Sequence, residues 1–286
     1  MIEALRPAEQ RICYDPHAKY FLADHLGQAG DQAGQLEQLV SSWETVLPGI
    51  CNAILARTRL IDECLIRIMG EGLDQLVILG AGYDTRVLRF DVVQKGIRVF
   101  ELDHPATQAE KLRRFKRFLP SHPPGITYIP ILFGQEDLRA KLSTSGYDND
   151  KSTFFIWEGV TYYLPAAAVD DTLAFIAQNA PAGSAVAFDY FPPSVTAGFS
   201  DRMEARALYM ALKQRGEELR FGLDPEDLNA FLNRRGFHLI DHLSAADCKQ
   251  LYFPEVHRNR QLSDIFTFVH ARVRGVKAGK PHKRKR

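Results

Sequence analysis

Residues 76–86 read LVILGAGYDTR. Leu76 to Leu79 form an unbroken apolar run, the pattern of a strand buried on both faces. Gly80 and Gly82 follow, then Asp84, Thr85 and Arg86, where a helix should begin. Glycine lets the backbone approach a ligand closely, because no Cβ intervenes. In open α/β sheets, ligands bind at the carboxyl ends of the strands. The stretch therefore predicts a strand, a ligand-facing turn and a helix.

Working outward, four more apolar runs read as strands: IRVFELD (97–103), ITYIPILF (126–133), STFFIWEG (152–159) and SAVAFDYF (184–191). Helix-length segments at 84–95, 105–118, 135–144 and 165–180 separate them. Pro105 and Pro165 stand where a first helical turn tolerates proline. This alternation predicts βαβ units, a parallel sheet and right-handed crossovers. Upstream, DPHAKYFLADHL and the run from Leu36 to Met69 carry apolar residues at helical spacing. Pro48-Gly49 splits the second run into two helices. Residues 192–223 break the rhythm and read as an inserted helical cap. LDPEDLNAFLNRRGF (223–237) predicts a further helix, with Asp224 as N-cap and Gly236 at its end. FHLIDHL (237–243) and SDIFTFVHARV (263–273) read as closing strands. The expected division is an N-terminal helical segment over 1–72, an α/β core over 73–273 and a disordered basic tail over 274–286.

The 286 residues are 45% hydrophobic and 25% charged, average for a soluble globular chain with a sizeable core. No run reaches the ~18 apolar residues of a membrane span. The first residues, MIEALRPAEQRICYD, lack the apolar centre of a secretory signal. Cys13, Cys51, Cys64 and Cys248 have no metal-site spacing, and there is no CxxC or HExxH. The expectation is a cytoplasmic protein with reduced thiols, no membrane contact and no metal. Residues 271–286 hold eight Lys/Arg and no acid; the overall +1 less these eight leaves −7. The tail, KAGKPHKRKR, reads as a solvated terminus, with polyanion binding as the alternative. An acidic body argues against nucleic acid as the substrate.

Asp103 ends the second strand, 21 residues after Gly82, where a carboxylate can accept bonds from ribose hydroxyls. Two cofactors fit such a pattern. A dinucleotide needs a third small residue near position 85 and a free helix N-terminus for its pyrophosphate. Here Thr85 follows Asp84, and that acid would repel a phosphate. S-adenosylmethionine carries no phosphate, and its sulfonium is positive. The other reading of Asp84 and Arg86 is a helix cap and a local ion pair.

LVILGAGYDTR, VFELDHPATQAEKLRRF (99–115) and FFIWEGVTYYLP (154–165) together resemble the leucine carboxyl methyltransferase family. YDPHAKYFL (14–22) and ILARTRLID (54–62) are similar to its N-terminal segments, and FGLDPEDLNAFLNRRGFHL (221–239) to its C-terminal one. The family includes enzymes that methylate the C-terminal leucine of protein phosphatase 2A and many bacterial small-molecule O-methyltransferases. The resemblance implies an α/β class I methyltransferase (Rossmann-like) fold, a seven-stranded, mostly parallel sheet with helices on both faces. It implies that Arg57 pairs with the carboxylate of S-adenosylmethionine, a group a guanidinium fork suits, with Arg59 as the competitor. It implies Gly80 and Gly82 under the methionine part, Asp103 on the ribose and Glu158 near the amino-acid end. Independently, an acid at the position of Glu158 would be costly if buried without a partner. Where family members often carry Asp-Leu, this chain has Leu132-Phe133. Phe133 is then expected against adenine, with polar contacts left to Gln135, Glu136 or backbone.

A carboxylate acceptor needs no base, whereas a phenol or alcohol benefits from one. His17, His25, His104, His238, His242 and His257 stand in no recognisable base motif. Tyr14, Tyr162 and Tyr163 fall in segments the resemblance places near the pocket, and Tyr162 is expected to touch the acceptor. Phe191, Phe199, Tyr209 and Phe221 suit an acceptor roof and a core equally. The functional expectation is O-methylation of a carboxylate or hydroxyl of a small molecule. The alternatives are a protein C-terminus as acceptor, a cofactor-binding protein without catalysis, and an NAD-dependent dehydrogenase.

Overall fold

The structure is a computed structural model that describes residues 3, 6–22, 32–119, 123, 125–253 and 255–275. The expected disordered tail, from residue 276 onward, and His25 lie outside the described residues. Seven strands form one sheet: β1 (Gln75–Leu79), β2 (Arg98–Asp103), β3 (Ile126–Pro130), β4 (Thr153–Trp157), β5 (Ala185–Tyr190), β6 (Phe237–Leu243) and β7 (Thr267–Val273). Their spatial order is β3-β2-β1-β4-β5-β7-β6. Neighbours from β3 through to β5 are parallel. β7 is antiparallel to both β5 and β6, so it alone runs against the other six. The expected seven-stranded, mostly parallel class I methyltransferase sheet is present.

The helices are α1 (Ala18–Leu22), α2 (Gln32–Val46), α3 (Ile50–Glu71), α4 (Arg86–Arg89), α5 (Pro105–Phe118), α6 (Leu138–Thr144), α7 (Ala166–Asn179), α8 (Pro193–Thr196), α9 (Met203–Gln214), α10 (Leu228–Arg234) and α11 (Ala245–Tyr252). Because side chains alternate across a strand, the sheet feeds two cores. Leu76 and Ile78 of β1 join Phe154 and Ile156 of β4 under α3, whose buried stripe includes Ala56, Leu60 and Leu65. Val77 and Leu79 join Phe155 and Trp157 under α7 and α10. α8 and α9 occupy the stretch between β5 and α10.

Two local expectations change. The helix expected over 84–95 is the single turn α4. Val92 and Val93 are poor helix formers, and Val92 instead turns inward to full burial. α10 starts at Leu228 rather than beside Asp224. Asp224 opens the preceding turn instead, its carbonyl accepting from the Asp227 amide at 3.0 Å. Among the described residues, no single helix is long and apolar enough to cross a membrane.

Candidate active site

The strand order reverses between β1 and β4, which creates a crevice beyond their carboxyl ends. A cavity of about 510 Å³ lies there. Residues 80–86 after β1, Glu158, Gly159 and Tyr162 after β4, and Ile54, Arg57 and Thr58 of α3 line it. The turn after β1 is tethered to β2: the Gly80 and Ala81 amides donate to the Leu102 carbonyl at 2.8 and 3.0 Å. The Gly82 amide donates to Asp103 Oδ2 at 2.5 Å, and the His104 amide to Oδ1 at 2.6 Å. Burial raises the Asp103 carboxyl, against the lowering effect of those two amides. Each carboxylate oxygen has a second lone pair, so Asp103 can still accept from a ligand hydroxyl.

Gly80 and Gly82 have φ of +70° and +47°, a region where other residues are strained. A Cβ on Gly80 would collide with the Val160 side chain. A Cβ on Gly82 would meet nothing nearer than the Gly80 carbonyl at 4.0 Å, so bare backbone faces the cavity at that point.

Charge is concentrated on the cavity wall. Arg57 donates from Nε to Glu158 Oε1 at 2.8 Å and from Nη1 to Asp189 Oδ2 at 2.7 Å. Arg86 pairs with Asp62 and Glu158, both at 2.8 Å, and with Asp84. Arg89 adds two bonds to Asp62, at 2.5 and 2.9 Å. Asp189, on β5, also accepts from the Gly159 amide at 2.6 Å. Burial opposes ionisation of Glu158, but Arg86 and Arg57 outweigh it and hold the carboxyl down to about 2. Arg86 Nη2 is buried without a hydrogen-bond partner. Three guanidiniums thus face four carboxylates, leaving one carboxylate in excess.

The structure brings together Arg57, Gly80, Gly82, Glu158 and Tyr162, with Asp103 joined through the Gly82 amide. Phe133 lines a separate recess of about 430 Å³ with Gln135, Glu136 and Ala168. Arg59 turns away to Glu63 at 2.6 Å. Arg86 does pair locally with Asp84, yet it also reaches Asp62 and Glu158. The sequence does not single out Asp62, Arg89 and Asp189. Their one sequence signal is that each is an ionisable residue inside an apolar stretch or next to the glycine turn.

A second chamber of about 280 Å³ adjoins the cavity and shares Ile54, Arg57 and Tyr162 with it. Tyr163, Phe191, Leu208, Leu212 and Phe266 supply most of its remaining wall. Tyr162 stacks on Phe191 with centroids 4.2 Å apart. Of the four aromatics expected in a roof or a core, Phe191 lines this chamber, Phe221 is in the core and Phe199 is exposed. Tyr209 packs beside Gly198. None of the described histidines lines either space. Elsewhere, ligand atoms of Cys64, Asp241 and His270 lie within 4.8 Å of one another. There Arg67 Nη2 stands 3.0 Å from His270 Nδ1 and 3.1 Å from Asp241, so a guanidinium occupies the position a cation would need.

A family model described as leucine carboxyl methyltransferase matches residues 1–177. The chain belongs to the leucine carboxyl methyltransferase family. A Bacillus subtilis (strain 168) protein provisionally named as the S-adenosyl-L-methionine-dependent methyltransferase YktD is 29% identical over 219 residues, 76% of this chain and 71% of that one. A Mycobacteroides abscessus protein with the same provisional activity is 33% identical over 162 residues, 55% of this chain and 52% of that one. This chain thus spans about half the length of that relative. Among solved structures, a duf574 family protein of Streptomyces avermitilis superposes with a TM-score of 0.61 at 12% identity, covering 89% of this chain and 97% of that one. A Thermobifida fusca protein solved as a provisional methyltransferase gives 0.56 at 15% identity, covering 84% and 89%. At such identities these two carry the fold alone.

This member of the leucine carboxyl methyltransferase family is an S-adenosylmethionine-dependent methyltransferase. The residues fit that cofactor on two counts: the open backbone at Gly82 and the unpartnered donor on Arg86. When bound, S-adenosylmethionine supplies an electrophilic methyl group on a sulfonium.

Proposed function

We propose that this protein methylates an oxygen of a small molecule, and that the acceptor oxygen belongs to a carboxylate. The observation that carries this reading is the apolar chamber sharing Arg57 and Tyr162 with the larger cavity. Its ionisable walls offer no base. Burial pushes the Cys51 thiol and the Tyr163 phenol up to about 12, and the Tyr162 phenol well above its ordinary value. Arg57 is a cation. A hydroxyl acceptor would have nothing among these groups to take its proton. A carboxylate arrives deprotonated and needs no base. Holding acceptor and methyl donor in line supplies the catalytic advantage, on the order of 7–11 kcal/mol when well oriented.

For the cofactor, we assign the carboxylate to Arg57 and Arg86, the methionine backbone to Gly80 and Gly82, the ribose to Asp103 and the amino end to the side of Glu158. Asp103 pairs in register with Pro130, three residues before Phe133, which supports placing the adenine edge beside that ring. Four free thiols favour a cytosolic setting.

The test supplies methyl-labelled S-adenosylmethionine with a panel of small carboxylic acids, phenols and a cell extract. The expected product is small and releases labelled methanol in mild alkali, as a methyl ester does. Label retained on protein would favour a protein C-terminus, alkali-stable label would favour a hydroxyl acceptor, and no transfer at all would favour binding without catalysis.

A further inference from the structure

The 510 Å³ cavity and the 280 Å³ chamber are not the end of the open space. A groove of about 800 Å³ runs between α2 and the start of α3. It shares Trp43, Cys51 and Ile54 with the chamber. Ile54 also lines the larger cavity, so one side chain borders all three spaces. Leu36, Leu39, Val40 and Leu55 supply the apolar wall of the groove. Leu39 and Ile54 are 37% and 40% exposed. Two of the acids at the rim, Glu3 and Glu44, are engaged, and the third, Glu37, is exposed to solvent. Glu44 accepts from the Gly49 and Cys51 amides at 2.6 and 3.0 Å. Glu3 holds Arg6 and Arg260 and accepts from the Ile12 amide at 2.7 Å.

We infer that this groove takes the hydrocarbon tail of an extended carboxylic acid whose head lies in the chamber, and that Ile54 at the junction sets which tails pass. The inference rests on the proposed carboxylate acceptor for its head group. Continuity with the chamber argues for a tail of the same molecule. The wall of Leu36, Leu39, Val40 and Leu55 argues that the tail is apolar. Burial of one methylene strengthens binding about three- to fourfold, so affinity should climb with chain length once the tail leaves the chamber.

The test uses the full chain with S-adenosylhomocysteine present and straight-chain acids from hexanoic to tetradecanoic, each below its micelle threshold. Trp43 reports the groove by its emission, because Trp157, the other tryptophan, is fully buried. Calorimetry gives the dissociation constants in parallel. The expected result is a rise of about three- to fourfold in affinity per added methylene for the longer acids. Leu39→Glu and Val40→Glu should erase that rise while hexanoic acid binds each variant as before, and Ile54→Trp, which also narrows the chamber, should weaken the long acids more than hexanoic acid. Affinity that is flat with length, or a rise that both glutamate variants leave intact, overturns the inference. Turnover separates the two readings. Length-dependent binding without ester formation rejects the proposed activity and supports the groove. Ester formation with no dependence on length rejects the groove alone.

Discussion

Asp62 on α3 and Arg86 on α4 meet at 2.8 Å, with side chains only 9% and 3% exposed. Through this pair α3 grips the turn after β1, and Arg89 joins the same carboxylate. Without Asp62, Arg86 keeps Asp84 and Glu158, but Arg89 loses its carboxylate, and a buried charge left uncompensated costs about 3–5 kcal/mol. Asp62→Asn should therefore lower the urea midpoint and the Tm. It should also weaken S-adenosylhomocysteine binding, because Arg86 loses its orientation. Urea titration and calorimetry on the same variant read both effects.

Acid should act through Glu158. Its folded value of about 2 lies below the ordinary value near 4.3. The stabilisation from Arg57 and Arg86 is therefore fully present above about pH 4 and is lost as pH falls through about 2. Burial raises Asp103 and Asp189, which works in the opposite sense. The difference between wild type and Glu158→Gln isolates the one carboxyl. That difference in unfolding free energy should be greatest at neutral pH and shrink toward pH 2. A difference that stays constant across this range would contradict the charge assignment.

The two glycines of the turn should respond unequally to alanine. Gly82→Ala meets only the left-handed backbone penalty, about 1–2 kcal/mol. Gly80→Ala meets the same penalty and also strikes Val160. Gly80→Ala should thus be the less stable variant in thermal unfolding. Adding Val160→Ala should restore only the part due to the collision.

Cofactor affinity should fall in Arg57→Ala and in Asp103→Asn. Loss of a hydrogen bond to a charged group is worth about 1.5–3 kcal/mol, a drop on the order of tenfold or more in S-adenosylhomocysteine affinity. Arg86→Lys should also weaken binding, since one ammonium cannot reproduce a fork that holds three carboxylates. Calorimetry on the three variants ranks the contributions.

The strands of the fold are legible in the sequence because they are short apolar runs closed by glycine, proline or an acid. The βαβ rhythm gives the parallel sheet directly. The placement of β7 between β5 and β6 is not legible, because its partners on β5 lie more than 70 residues away and leave no periodic trace. The spacing from Gly82 to Asp103 is legible, and the Gly82 amide bond gives it a physical meaning. The ion network is only half legible. Asp84 and Arg86 stand two residues apart, so their pairing can be read locally. Asp62, Glu158 and Asp189 come from three other segments and meet through tertiary packing alone. The same limit hides the chamber, whose walls come from α2, α3, the segment after β4 and α9.

β7 is the last strand among the described residues yet lies one place inside the sheet's edge. During synthesis, β5 must wait with an uncovered flank and β6 without any neighbour until residues 267–273 leave the ribosome. A nascent chain halted just before Thr267 presents a bare row of amides and carbonyls, a template for unwanted strand addition. Completion of the sheet, and with it protection from aggregation, falls to the final segment translated among those described.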